Sequence, residues 1–298
     1  MVLFSDGRNK SKFYLTNIHF MKNRAGQFIA AMCLLAVISA KAQTVSQVFS
    51  NSGIWADYGV PVSPKVYPEF KGRLVNISWS DFEVAPNVWD WTVFDKDIND
   101  HIADSMPIIF LVYTRMNAPD WIFSNGVPKV NETNASGTSI GYSPYYLDSD
   151  YNVYFKRMIT KVREHVQAYQ PSIRNKIIGV QACFGSTGDQ IAYKGTVSKQ
   201  YEITEAQFDS LFKVYSLYYY NEYKNLTPKI TMLSNPDYQD PGQQYWLVDN
   251  CPGSWTKCGT MGKGFQLNME SDKRSWLFDI MNLPWAGSYI KSRSEIWG

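Results

Sequence analysis

Histidine is scarce, with only His19, His101 and His165 in 298 residues. Cysteine is nearly as rare, at Cys33, Cys183, Cys251 and Cys258. No histidine falls near the last three cysteines in sequence, so the spacing of a zinc site is missing and no metal is expected. Charge of one sign is lacking too: 29 basic residues face 27 acidic ones, for a net charge of +2. That balance gives no reason to invoke nucleic acid or an acidic membrane surface as partner. There is no internal repeat and no low-complexity tract. The one sustained apolar run, near the N-terminus, is too short to span a bilayer.

What is abundant is apolar and aromatic. Hydrophobic residues make up 45% and charged residues 19% of the chain, which describes one ordinary globular domain with a sizeable core. Aromatic content reaches 15%, with 10 Trp and 20 Tyr. Those rings either fill a large core or offer stacking platforms for the C–H faces of sugars.

Residues 21–42 read as a secretory signal. Lys22 and Arg24 form the basic segment, Phe28 to Ile38 the apolar segment, and Ala40-Lys41-Ala42 a cleavage site before Gln43. Residues 1–20 are then an upstream extension and 43–298 the mature domain, exported to the periplasm, cell surface or exterior. A lipoprotein route through Cys33 is the alternative, although no small residue follows it. In an oxidising compartment Cys251 and Cys258 could close a small loop around Pro252-Gly253, while Cys183 reads as a small buried hydrophobe.

From there the chain alternates strands and helices. A first strand is placed in Gly53–Tyr58, followed by Leu74–Trp79, Pro107–Tyr113 and Ile177–Phe184. Further strands are expected at Lys229–Leu233, Gly264–Glu270 and Tyr289–Arg293. Helices are expected over Val93–Ser105, with Thr92 and Asp95 as a capping box, and over Asn152–Tyr169. Another runs over Glu205–Lys224, capped by Thr204 and Gln207, and one more starts at Ser271. Strand, helix, strand with short turns is the rhythm of a parallel sheet. Residues 124–150, rich in Gly, Ser, Asn and Tyr, form too long a connector to be passive. At Gly185 the apolar run Ile177–Phe184 empties into Gly-Ser-Thr-Gly-Asp, the way α/β barrels build sites at strand ends.

The run Trp79-Ser80-Asp81-Phe82-Glu83-Val84-Ala85-Pro86, then Trp89-Asp90-Trp91 and Phe94-Asp95, resembles a signature of clan A glycoside hydrolases. There the pattern is W-x-x-x-E-P-x-x-G-x-x-D-W; here the Glu-Pro pair is broken up. Ala118-Pro119-Asp120-Trp121 resembles the Ala-Pro-x-Trp loop of the β-galactosidase-like members. The resemblance covers most of residues 70–298. It implies a (β/α)8 TIM barrel, a carbohydrate substrate and no cofactor.

Counting Leu74–Trp79 as the second strand makes Ile177–Phe184 the fourth and Tyr289–Arg293 the seventh. In the clan those two carry the acid/base and the nucleophile. Glu295 then matches the nucleophile, with Arg293 nearby to hold it ionised. The fourth strand departs from the pattern, since Phe184 and Gly185 stand where a Glu is expected. Asp189 is the nearest acid, and Asp81, Glu83 and Glu270 are rivals at other strand ends. Trp79, Trp121 and Tyr113 would wall the pocket, with Arg115, Gln181, Asn235 and Asn268 to bind sugar hydroxyls. A retaining mechanism would set its two carboxyl groups about 5–5.5 Å apart. The chain stops after the seventh strand, so the barrel is expected to be incomplete at its C-terminus. Two other readings stand beside the hydrolase: an inactive barrel that binds glycans, and an unrelated exported α/β protein with structural aromatics. The sequence does not indicate an oligomeric state.

Overall fold

Isolated strands at Ile108–Tyr113 and Ile177–Gln181 carry almost no polar residue, so both faces must be covered, and a parallel sheet with helices packed on it does this. The computed structural model describes residues 54–56, 65–66, 68–102, 106–185, 192–234, 241–257 and 292–293. In chain order these form β1 (Ile54–Ala56), β2 (Phe70–Ser78), a 3-10 turn (Trp79–Asp81), β3 (Glu83–Ala85), β4 (Val88–Trp89) and α1 (Thr92–Ile102). Then come β5 (Ile108–Tyr113), α2 (Asp120–Ser124), β6 (Lys129–Thr133), β7 (Ser139–Pro144), α3 (Ser149–Ala168) and α4 (Pro171–Arg174). The remainder is β8 (Ile177–Gln181), a second 3-10 turn (Lys199–Tyr201), α5 (Glu205–Tyr223), β9 (Thr231–Ser234), α6 (Pro241–Asn250), β10 (Trp255–Lys257) and β11 (Ser292–Arg293).

Among the described residues seven strands pair in parallel in the order β1-β2-β5-β8-β9-β10-β11, so the fold is α/β. In the described sheet β10 follows β9, and the expected strand Gly264–Glu270 lies outside the described residues. Trp255-Thr256-Lys257 is too short a run to announce itself by pattern. The helix placed from Ser271 is likewise outside, and of Tyr289–Arg293 only the last two residues are described.

Alternation along the strands sorts side chains into two cores. Val75, Ile77, Phe110, Val112 and Val180 face the helices, joining Phe94 and Ile98 of α1, Phe155, Met158, Ile159, Val162 and Val166 of α3, and Phe212, Tyr215 and Tyr219 of α5. Leu74, Ile109, Leu111, Cys183 and Leu233 gather on the opposite face, with Trp55, Tyr113 and Ile178 against them. Full burial of each such side chain is worth about 1.5–3 kcal/mol.

The helix starts follow their caps. Thr204 and Gln207 form the expected capping box of α5: Gln207 N donates to Thr204 Oγ1 at 3.3 Å, and Thr204 N to Gln207 Oε1 at 2.9 Å. The Asp148 side chain caps α3, accepting from Tyr151 N at 2.9 Å, which starts that helix earlier than its apolar stripe suggests. The box expected at Thr92 and Asp95 does not form. Thr92 N instead donates to Asp90 Oδ1 at 3.0 Å, and Asp95 turns to His165 Nε2 at 2.6 Å and to the Tyr169 hydroxyl. That leaves His165 stacked on Trp91, ring centroids 4.0 Å apart.

The long connector before α3 holds an antiparallel hairpin, β6–β7. Its tip closes on itself: Asn134 Oδ1 accepts from Ser136 N at 3.0 Å and Thr138 N at 2.9 Å, and Gly137 takes φ 81°.

Candidate functional site

The sheet face that carries Leu74, Ile109 and Leu111 changes character at its C-terminal end. Leu74, Asn76 and Ser78 follow one another on one face of β2, level with Ile109, Leu111 and Tyr113 of β5. On β8, Gln181 is in register with Leu111 and is buried. The apolar core on this face thus ends in a crown of amides and hydroxyls. Asn76 Nδ2 donates to the Tyr113 hydroxyl at 3.3 Å, and Asn117 Nδ2, from the loop after β5, donates to Ser78 Oγ at 2.8 Å. The Asn76 side-chain oxygen is buried and has no hydrogen-bond partner among the described residues. Leaving such an acceptor unmet costs about 1–3 kcal/mol, so it is a position where a ligand hydroxyl gains. Asn76, Ser78 and Tyr113 are half-buried, open enough to touch a ligand.

Trp79, expected at the pocket wall, and Glu83, a rival acid at a strand end, are both fully buried. Trp79 Nε1 donates to Glu83 Oε2 at 2.7 Å, and Asn87 N donates to Glu83 Oε1 at 3.2 Å. Arg157 of α3 pairs with the same carboxylate. Trp121 Nε1 donates to the Glu83 carbonyl oxygen at 2.9 Å, and the Arg157 guanidinium lies 5.3 Å from the Trp121 ring centroid. Burial pushes the Glu83 carboxyl above its ordinary value, against the Trp79 N–H, the Arg157 charge and the Asn87 N–H, which pull it down. The Trp and Glu of the sequence signature therefore tie the excursion after β2 to α2 and α3, with both side chains fully buried. Trp121 is half-buried and spends its N–H in the same knot. The rival acid Asp81 is exposed and accepts from Ser80 Oγ at 3.3 Å.

Arg115 does sit just beyond β5, but its charge is met. It pairs at 3.2 Å with Glu132, a fully buried carboxylate on β6. Glu132 also accepts from Ser143 Oγ across the hairpin and from Lys194 N at 2.8 Å. Thr133 N donates to Lys194 O at 3.2 Å, and a Cβ on Gly195 would stand 2.1 Å from Thr133 Oγ1. One carboxylate thereby joins the exit of β5, the hairpin and the segment that follows β8.

Of the two residues expected to do chemistry, neither Asp189 nor Glu295 falls among the described residues, and Asn235, Asn268 and Glu270 also lie outside them. Phe184 is buried against Phe212 and Tyr215, each with ring centroids 5.7 Å away, in the layer between sheet and helices. Cys251 is a free, buried thiol, and the partner expected for it, Cys258, lies outside the described residues. Among the described residues no three His, Cys, Asp or Glu side chains gather to hold a metal ion, and no helix is long and apolar enough to cross a membrane.

No family model matches the chain, and no curated protein matches it. Solved structures similar to it include a polyextremophilic β-galactosidase from the Antarctic haloarchaeon Halorubrum lacusprofundi, at 11% identity and a TM-score of 0.46, covering 70% of this chain and 40% of that one. The β-galactosidase of the psychrophilic Marinomonas ef1 aligns at 12% identity and a TM-score of 0.43, over 74% of this chain and 43% of its own. The cold-adapted enzyme of Rahnella sp. R3 aligns at 11% identity and 0.44, over 74% and 41%. The chain spans less than half the length of each of these enzymes.

Proposed function

We propose that the parallel strands belong to a (β/α)8 barrel whose C-terminal mouth binds saccharides, and that the protein is an exported glycoside hydrolase. The observation that carries this reading is the crown of Asn76, Ser78, Tyr113, Asn117 and Gln181 above an apolar core. Planar amides and hydroxyls beside an aromatic ring are the groups that meet sugar hydroxyls and C–H faces. The order of the sequence motifs supports the same reading.

In the mechanism that fits, Glu295, two residues beyond β11, attacks the anomeric carbon while Asp189, in the segment after β8, protonates the leaving oxygen. Water then attacks the glycosyl–enzyme ester, and Asp189, now a base, takes its proton. The test is hydrolysis of a panel of aryl glycosides by the full chain beside Glu295→Gln. Loss of turnover by several orders of magnitude in the variant supports the assignment; equal turnover removes Glu295 from it.

A second reading, an inactive barrel that retains glycan binding, is favoured by Phe184. Its side chain is packed into the outer layer where the resemblance calls for a carboxylate. A folded chain that binds glycans and hydrolyses none would decide for it.

A further inference from the structure

Nearly every described aromatic ring is at least partly covered. Tyr142, on β7, is the most exposed of them at 51%. Its setting is built. In the β6–β7 ladder Tyr142 is in register with Asn131, and Lys129 stands two residues before Asn131 on the same face. The Lys129 ammonium lies 5.6 Å from the Tyr142 ring centroid and 4.8 Å from that of Phe123, so a cation is held between two rings. Its nearest carboxylate, Asp120, is 3.9 Å away with a side chain 98% exposed, a tie that an incoming anion can replace. Asn131 is exposed, and because its Oδ1 accepts from Ser139 Oγ at 2.5 Å, its amide N–H groups are the donors it can offer a ligand.

The opposite face of the hairpin explains why this strip is rigid. Glu132 and Ser143 point inward, and Glu132 holds Arg115 and Lys194. A Cβ on Gly141 would collide with the Met116 side chain, so the hairpin lies hard against the exit of β5. The strip is thus fixed beside the C-terminal ends of β5 and β8, the same ends that carry Tyr113 and Gln181. A platform that loses little freedom on binding gives more of its contact energy to the ligand.

We infer that this face of the hairpin is a binding subsite for a polysaccharide carrying carboxylate or sulfate groups. The Tyr142 ring takes the C–H face of one sugar, Lys129 its anionic group, and Asn131 a hydroxyl. The inference rests on the saccharide reading of the crown for its ligand class, and the positive charge between the rings adds the requirement for an anionic chain.

The test is affinity electrophoresis of the full chain through gels containing polygalacturonate, a sulfated galactan or an uncharged β-glucan. Tyr142→Ala and Lys129→Gln are run beside it, and melting curves confirm that both variants fold. Retention by at least one charged polymer, weaker by about tenfold in each variant, is the expected result. Which charged gel retains the protein identifies carboxylate or sulfate as the recognised group. Unchanged retention in the variants, retention as strong in the uncharged gel, or no retention in any gel overturns the inference. Aryl glycosides, too small to reach the hairpin, are assayed in parallel. Turnover that survives Tyr142→Ala while retention is lost separates the subsite from the catalytic reading. Retention without turnover refutes catalysis and leaves the subsite standing.

Discussion

The ring of Trp55 packs against Gly72, its partner in the β1–β2 ladder, so closely that a Cβ on Gly72 would run into the indole. No side chain but hydrogen fits there. Gly72→Ala must push the indole off the core it packs against or part the two strands, at a cost of about 1–3 kcal/mol. The denaturation midpoint should fall, and adding Trp55→Leu to the same chain should restore part of it.

Arg157 offsets the burial of Glu83. Arg157→Met leaves that carboxylate in the interior without its counter-charge, a loss of about 3–5 kcal/mol near neutral pH. The pH dependence has a definite sign. Because burial raises the folded pKa of Glu83, its favourable contribution is complete below the ordinary value of 4.5 and is lost as pH rises through the raised value. The cost of Arg157→Met should therefore be smaller in acid than at pH 8, and Glu83→Gln should flatten the difference. Urea denaturation across that range measures both.

Trp79 and Asn76 should separate cleanly. Trp79→Phe removes the N–H that Glu83 accepts at 2.7 Å and should cost about 1–3 kcal/mol of stability with saccharide binding unchanged. Asn76→Ala should leave the fold nearly as stable and weaken saccharide binding by about tenfold. Calorimetric titration beside thermal melts reads the two effects, and a binding loss in Trp79→Phe would return that residue to the pocket.

Glu132→Gln keeps the shape of the junction and removes its charge, leaving Arg115 buried and unpaired. A loss of about 2–3 kcal/mol is expected. Amide exchange should speed up at residues 192–197 and in β6 and β7, with β8 itself unaffected. Uniform protection throughout would show that the three segments do not depend on this carboxylate.

Burial pushes the Cys251 thiol up to about 12. With almost no thiolate at neutral pH, native Cys251 should resist alkylation and react only on unfolding. Peptide mapping after a timed iodoacetamide pulse, with and without denaturant, checks this.

The parallel strands were legible because an apolar run bounded by turn residues has few other uses; β5 and β8 fall within the segments expected for them. The stripe of Phe155, Met158, Ile159, Val162 and Val166 was legible for the same reason. Short strands such as β10 depend on neighbours for their pairing and carry no pattern of their own. The site was harder. Trp79 and Glu83 are conspicuous in sequence, and it took the position of Arg157, seventy-four residues beyond Glu83, to show where they point. Asn76 and Ser78 did leave a signal, two polar residues two apart inside Leu-Val-Asn-Ile-Ser, the mark of a strand with one face turned to something polar. The Glu132 junction left none, since its partners come from three separate segments.

The self-closed tip of the hairpin has a practical consequence. Asn134 satisfies the amides of Ser136 and Thr138, and the tip residues are exposed. A guest peptide or a dye-bearing cysteine grafted at Ser136 would disturb neither the ladder below nor the Glu132 junction. Such a label would stand at the end of the hairpin and report optically on its surroundings, in a protein whose native tryptophans are too numerous to serve as a local probe.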